Sequence, residues 1–230
     1  MRAQIVLFDG FDPLDVIAPF EVLHAGGTVS AGALTVELVS AEGPRKVVSG
    51  IGGLALEATA QLDPERADLI LVPGASGRIT EDDDLTTPER LTTPERNGDE
   101  TIPVLLGRTL ETDLPRLLAA GMRRPGLTVA TVCGGSLVLA MAGLLEGRRA
   151  TTHHLGMDLL DATGATAVAA RVVDDGDLVT GAGVTSGLDL GLYLLERELG
   201  PQISHAVEQL FAHERRGVVW RDHGPTPIAL

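Results

Sequence analysis

The chain contains one cysteine in 230 residues. No disulfide can form within it, and the cytoplasm is the expected compartment. Aromatic residues are scarce at 3%, and we attach no function to that scarcity. Although 44% of the residues are hydrophobic, Gly, Pro or a charge interrupts every apolar run, and none approaches the roughly 18 to 20 residues that a membrane span requires. The stretch Met1-Arg2-Ala3-Gln4-Ile5-Val6-Leu7-Phe8 stops too early for a signal peptide and has no small-residue cleavage site after it, so it reads as a first β-strand. Positive charge is also short: 18 Lys and Arg against 32 Asp and Glu give a net charge of −14. A phosphate backbone would be repelled, so nucleic acid is not an expected partner. One Cys and scattered His offer no metal-ligand spacing, and neither GxGxxG nor a Lys-Ser/Thr phosphate loop is present, so no metal, nucleotide or other cofactor is expected.

What is present is alternation. Gln4 to Phe8 reads as a strand, and Leu14, Ile17, Ala18, Val22 and Leu23 recur at helical spacing until Gly26-Gly27, where the helix is expected to end. Leu34 to Val39 is a second strand, and Val47-Val48 with Leu54 to Leu56 flank a Gly-rich turn as a hairpin. Asp68 to Val72 is a buried parallel strand running into the loop Pro73-Gly74-Ala75-Ser76-Gly77. A helix over about Pro103 to Ala120 precedes the strand Leu127 to Val132, and Gly134 to Ala142 reads as the next helix. Arg149 to Thr152 is a short strand, and His153-His154 open a helix to about Ala162. Val168 to Val173 and Leu178 to Thr180 make two more strands. Helices over about Leu188 to Leu199 and Pro201 to Arg215 follow the loop Gly181 to Gly187. This order predicts one α/β domain over 1–230, with a mostly parallel sheet and helices on both faces.

One segment breaks the pattern. Residues from about 81 to 101 are rich in acid, Thr and Pro and hold a direct repeat, Leu85-Thr86-Thr87-Pro88-Glu89-Arg90 followed by Leu91-Thr92-Thr93-Pro94-Glu95-Arg96. Two copies are too few for a solenoid. The segment reads as a surface insertion, with a lid or a dimer contact as the functional alternative.

The solitary Cys133 stands where an apolar strand ends and a helix restarts at once. That places the thiol at the carboxyl edge of the sheet, where ligands bind in open α/β folds. A helix N-terminus favours thiolate over thiol, and Gly134-Gly135 leave the turn free of Cβ clashes, as a nucleophile elbow requires. An isolated Cys can also be a small buried hydrophobe; the strand-to-helix turn favours the nucleophile.

The run Ala130-Thr131-Val132-Cys133-Gly134-Gly135-Ser136-Leu137-Val138-Leu139-Ala140, followed by Gly143-Leu144-Leu145-Glu146-Gly147, resembles the nucleophile segment of the ThiJ/PfpI superfamily, in its isonitrile hydratase branch. Leu14-Asp15-Val16-Ile17-Ala18-Pro19-Phe20-Glu21, Val72-Pro73-Gly74-Ala75-Ser76-Gly77 and Thr180-Gly181-Ala182-Gly183-Val184-Thr185-Ser186-Gly187 extend the resemblance over nearly the whole chain apart from the insertion. It implies a class I glutamine amidotransferase-like, flavodoxin-like three-layer sandwich and a homodimer acting on a small molecule. It also implies an acid beside the sulfur, which the motif places at Asp15, and an oxyanion pocket from the N–H groups of Ala75 and Gly134, with Gly74 allowing close approach. Read by position alone, Asp15 could instead cap its helix.

Two departures stand out. Gly134 takes the place of the His that follows the nucleophile in protease-like and glyoxalase-like relatives, which removes the base of a Cys-His peptidase. It also replaces the Thr usual in isonitrile hydratases. At most one of His153 and His154 can face Cys133, with helix capping as the other role; Thr185 is a candidate pocket group, with plain turn chemistry as its alternative. The resemblance implies hydration of an isonitrile to an N-substituted formamide. The same cysteine could serve carbonyl or carbon–carbon bond chemistry on a larger metabolite, or a redox sensor.

Overall fold

The computed structural model describes residues 1–79 and 100–225. The Leu85–Arg96 repeat, and with it the lid reading of the insertion, lies outside the described residues. The flanks of the insertion meet in a bridge between Arg78 and Thr101.

Apolar runs bounded by turn residues form the strands. In the first half these are β1 (Arg2–Leu7), β2 (Thr35–Ser40), the hairpin β3 (Arg45–Val48) and β4 (Ala55–Ala58), the two-residue β5 (Ala60–Gln61) and β6 (Leu69–Val72). The second half adds β7 (Thr128–Val132), β8 (Arg149–Ala150), β9 (Thr166–Ala167), β10 (Val172–Asp174), β11 (Leu178–Gly181) and β12 (Trp220–Arg221). Among the described residues, eight strands join in one sheet of order β12-β10-β11-β7-β6-β1-β2-β5. Every neighbouring pair is parallel except β10 with β11. Strands β6 and β7 are buried at every position, as strands covered on both faces must be.

Helices α1 (Pro13–Val29), α6 (Ser186–Leu199) and α7 (Pro201–Phe211) pack on one another. A second group comprises α2 (Ile102–Arg108), α3 (Leu114–Met122), α4 (Gly135–Met141) and α5 (Met157–Ala162). The two groups cover the sheet in the flavodoxin-like arrangement that the alternation predicts. Among the described residues no helix is long and apolar enough to cross a membrane.

Four helix boundaries differ from the sequence expectation, one of them in α7, which ends at Phe211 short of the expected Arg215 because Ala212 turns left-handed. Helix α1 does not end at Gly26-Gly27 but runs through them to Val29. A Cβ on Gly26 would lie 2.3 Å from a Leu195 methyl, and one on Gly27 would lie 2.2 Å from the Leu34 carbonyl oxygen. These glycines serve close packing, not termination. The expected helix over Pro103 to Ala120 breaks at Thr112-Asp113, where the Thr112 hydroxyl accepts from Leu114 N–H at 3.1 Å and Pro115 restarts the helix as α3. The helix expected from His153 begins as a single 3-10 turn over His154–Gly156, and α5 starts only at Met157.

Candidate active site

Strands β1, β6 and β7 lie side by side, so the loops after them meet at one place on the carboxyl edge of the sheet. Asp15 follows the first of them in the opening turn of α1, and the other two carry Gly74-Ala75 and Cys133. Cys133 has φ +54, in the left-handed region that side chains rarely adopt; holding a non-glycine residue there costs about 1–3 kcal/mol and requires a surround that dictates it. The surround is visible. Cys133 N–H donates to Gly181 O at 3.0 Å, and the Thr152 hydroxyl donates to Cys133 O at 2.7 Å. Ser136 Oγ donates to Thr151 O at 2.6 Å and shares a bond of 2.6 Å with Thr131 Oγ1. A Cβ on Gly135 would sit 2.1 Å from Val72 O, so the elbow tolerates only glycine at that position.

Asp15 is completely buried in the first turn of α1. The cap of that helix is Asp12, whose Oδ1 accepts from Leu14 N–H at 2.9 Å, so Asp15 is released from the capping role. Its Oδ2 accepts from Gly74 N–H at 2.9 Å. A Cβ on Gly74 would lie 2.6 Å from Gly134 N and 2.8 Å from Asp15 Oδ2, which accounts for glycine where the three loops converge. Asp15 Oδ1 is sealed from solvent and has no hydrogen-bond partner among the described residues, and the Cys133 thiol stands near enough to the carboxyl to pull its pKa down.

Burial, reinforced by the Asp12 charge, holds the Asp15 carboxyl well above the usual carboxylate range, against the opposing pull of Gly74 N–H and the thiol. Burial also pushes the Cys133 thiol up, followed by the Asp15 carboxylate, with Gly134 N–H pulling the other way. The preference of a helix N-terminus for thiolate is therefore opposed by burial. Helix α4 has only seven residues, and desolvation outweighs it. When Asp15 keeps its proton, its push on the thiol disappears and its O–H can donate to sulfur. The two groups form a coupled pair that titrates together.

Cys133 opens onto a cavity of about 380 Å³, walled by Ile102, Leu106, Leu137, Met141, Leu155 and Leu159, with Asp12, Ser76 and His153 as its polar side chains. Ala75 and Gly134 line it as well. The Ala75 N–H has no acceptor among the described residues, whereas the Gly134 N–H serves the sulfur. Gly74 lies beside Asp15 and Gly134 and does not line the cavity. His153 does line it, while its Nδ1 caps the following turn by accepting from Leu155 N–H at 3.3 Å. Burial and then His154 push its pKa down.

Thr185 departs from expectation. It is exposed at the cap of α6, where Arg171 donates to its carbonyl at 2.8 Å and its hydroxyl at 3.1 Å, and its neighbour Val184 supplies the cavity wall. Asp189 fixes Arg171 in turn, accepting from Nε at 2.5 Å. Sequence reasoning missed Asp12 and Ser76; the Asp12-Pro13 pair, a capping residue before Pro at the first helical position, was the available signal. A wider depression of about 580 Å³ lies away from Cys133, among Arg2, Glu37, Gln61 and Arg116, and contains no candidate nucleophile. Among the described residues no group of three or more His, Cys, Asp or Glu could hold a metal ion.

The DJ-1/PfpI family profile matches residues 115–197, which include the elbow. The isonitrile hydratase of Pseudomonas putida is 34% identical over 209 residues, covering 90% of this chain and 76% of that protein. This chain belongs to the DJ-1/PfpI family. A crystal structure of a ThiJ/PfpI family protein from Pseudomonas syringae superposes with a TM-score of 0.71 at 25% identity, covering 94% of this chain and 76% of the other. An HTH-type transcriptional regulator of Pseudomonas aeruginosa is 28% identical over 90% of this chain, which spans only 53% of that regulator. The family thus includes proteins named as enzymes and as regulators, and membership alone does not choose a reaction.

Proposed function

We propose that this DJ-1/PfpI protein is a cofactor-free enzyme that hydrates an isonitrile to an N-substituted formamide, with Cys133 as nucleophile and Asp15 as proton carrier. The observation that carries this reading is the buried pair itself: a sulfur on a strained elbow, facing an apolar cavity, beside a carboxyl whose Oδ1 is buried without a partner. The likeness to the Pseudomonas putida isonitrile hydratase supports the choice of substrate.

The terminal carbon of an isonitrile accepts a soft thiolate. Sulfur bonds to that carbon while the proton held between Cys133 and Asp15 moves to the same carbon, giving a thioimidate. Asp15 then takes a proton from water as the water oxygen bonds to the thioimidate carbon, and passes that proton to the nitrogen. The tetrahedral adduct collapses to the formamide, the C–S bond breaks, and the proton returns to the pair. Hydrogen, oxygen and charge balance with water as the only co-reactant. The Ala75 N–H, which has no acceptor among the described residues, is the donor for charge that develops during this collapse. Peroxide sensing selects exposed thiols of low pKa, and a buried thiol pushed upward argues against it.

The test is incubation with a panel of alkyl and aryl isonitriles, with formamide read by mass spectrometry. Cys133→Ala should lower turnover by about 10³-fold or more. Formamide production that survives in Cys133→Ala, or its absence across the panel with the unaltered protein, would sink the reading.

A further inference from the structure

The cavity over Cys133 holds an uneven set of charges. Among the described residues its wall carries no Lys or Arg, and its one acidic side chain is Asp12. No salt bridge among the described residues neutralises that carboxylate. Its two oxygens are instead held by neutral donors, Oδ1 by Leu14 N–H at 2.9 Å and Oδ2 by the Ser76 hydroxyl. Such bonds fix the position of the charge without cancelling it.

We propose that Asp12 makes the cavity select by charge, admitting neutral or cationic electrophiles with an apolar body and turning away anions such as 2-oxo acids and organic phosphates. The proposal rests on the reading of Cys133 as the reactive centre and narrows its substrate class. Recognition of an anion requires a guanidinium, an ammonium or a cradle of free N–H groups. Here the Gly134 N–H is already turned to the sulfur, which leaves the Ala75 N–H alone, a single donor and not a cradle, and the Asp15 carboxyl beside it keeps a buried oxygen without a partner. The Asp12 charge reaches both reacting groups: it is among the causes that raise Asp15 and Cys133. An anion entering the same low-dielectric space meets the same repulsion.

Two methanethiosulfonates of similar size test this, the cationic 2-aminoethyl and the anionic 2-sulfonatoethyl reagent. In each the thiolate attacks the sulfenyl sulfur, a disulfide forms and methanesulfinate leaves. Modification rates are followed by intact mass in about 0.1 M salt, which screens distant charges beyond roughly 10 Å, and are normalised to rates with 2-mercaptoethanol. The normalised ratio should favour the cation by about tenfold and fall severalfold toward unity in Asp12→Asn, which preserves the helix cap. Glu65→Gln makes the same change in net charge, from an exposed site ahead of β6 at the strand end opposite Gly74, and should leave the ratio unaltered. An equal ratio in Asp12→Asn and the unaltered protein overturns charge selection while leaving Cys133 reactive. Failure of both reagents to modify Cys133 overturns the reactive-centre reading with it. Independently of any variant, a carboxylate-bearing isonitrile should turn over about tenfold more slowly than its methyl ester; equal rates overturn the proposal.

Discussion

Asp15 is a carboxyl with no exposure to water, and its environment sets a conflict between stability and chemistry. In the unfolded chain it titrates near 3.8; in the folded protein burial raises it well above that value. Over the interval between those two values the native state holds a proton that the unfolded state has lost, so its contribution to stability falls as pH rises. Asn at this position keeps an acceptor for Gly74 N–H and has no proton to lose. Asp15→Asn should therefore melt higher than the unaltered protein near neutral pH, with the gap closing as pH falls toward 3.8, while formamide production disappears. Each kcal/mol recovered would register as about 2–4 °C in Tm for a chain of this size. Thermal melts across that range check the sign, and a variant that melts lower at neutral pH would show that Asp15 is not held against its own desolvation cost. Among the site residues, Cys133 could be named from sequence because strand, turn and helix fix its place, whereas Asp15 was reached through the family resemblance, since position alone left it as a possible helix cap. The inward position of Val184 in place of Thr185 could not be named, because it depends on Arg171, a tertiary partner that holds Thr185 outside.

Glycines decide the geometry at the level of elements. The sequence pattern located β1, β2, β6, β7 and the longer helices, but it ran one helix across the break at Thr112-Asp113 and began a strand at Val168 where β10 begins only at Val172. It placed the end of α1 wrongly, because a glycine that stops a helix and a glycine that lets a neighbour approach look alike until the neighbour is known; for Gly26 that neighbour is Leu195 on α6. The two-residue strands β5, β9 and β12 were not legible for a related reason: their few pairings are dictated by the partner strand and not by any local propensity. Gly135 is the sharper case, being both the first residue of α4 and the point where the elbow passes the β6 backbone. Backbone on both sides leaves no flexible atom to yield, so Gly135→Ala should cost about 1–3 kcal/mol in urea unfolding and displace Cys133 enough to lower turnover. A variant with unchanged stability and activity would mean that the elbow is more pliable than its contacts imply.

Across the whole molecule, the surface raises the question of what covers its apolar residues. Leu14 and Ile17 project from the start of α1 at 45% and 37% exposure, and Ile51 and Leu54 from the β3–β4 turn at 54% and 39%. The two groups are neighbours, because Gly10 N–H donates to Val48 O at 2.8 Å and Gly50 N–H to Phe11 O at 3.0 Å. A patch of this kind on a protein of net charge −14 has to overcome self-repulsion to associate, and desolvation of aliphatic side chains is the force available for that. Two copies related by a two-fold axis would each present the same patch, the most common closed solution. We accordingly expect a homodimer through this face, with twice the chain mass by light scattering at micromolar concentration. Ile17→Asp introduces a charge at an exposed position that supports no core contact, so it should yield a folded species of one chain mass. If the unaltered chain is already monomeric, or Ile17→Asp leaves a dimer intact, this face is not the contact. The same variant also reads out the site, since Leu14 and Ile17 flank Asp15 on α1: turnover that falls with dissociation would show that the second copy steadies the helix carrying the acid.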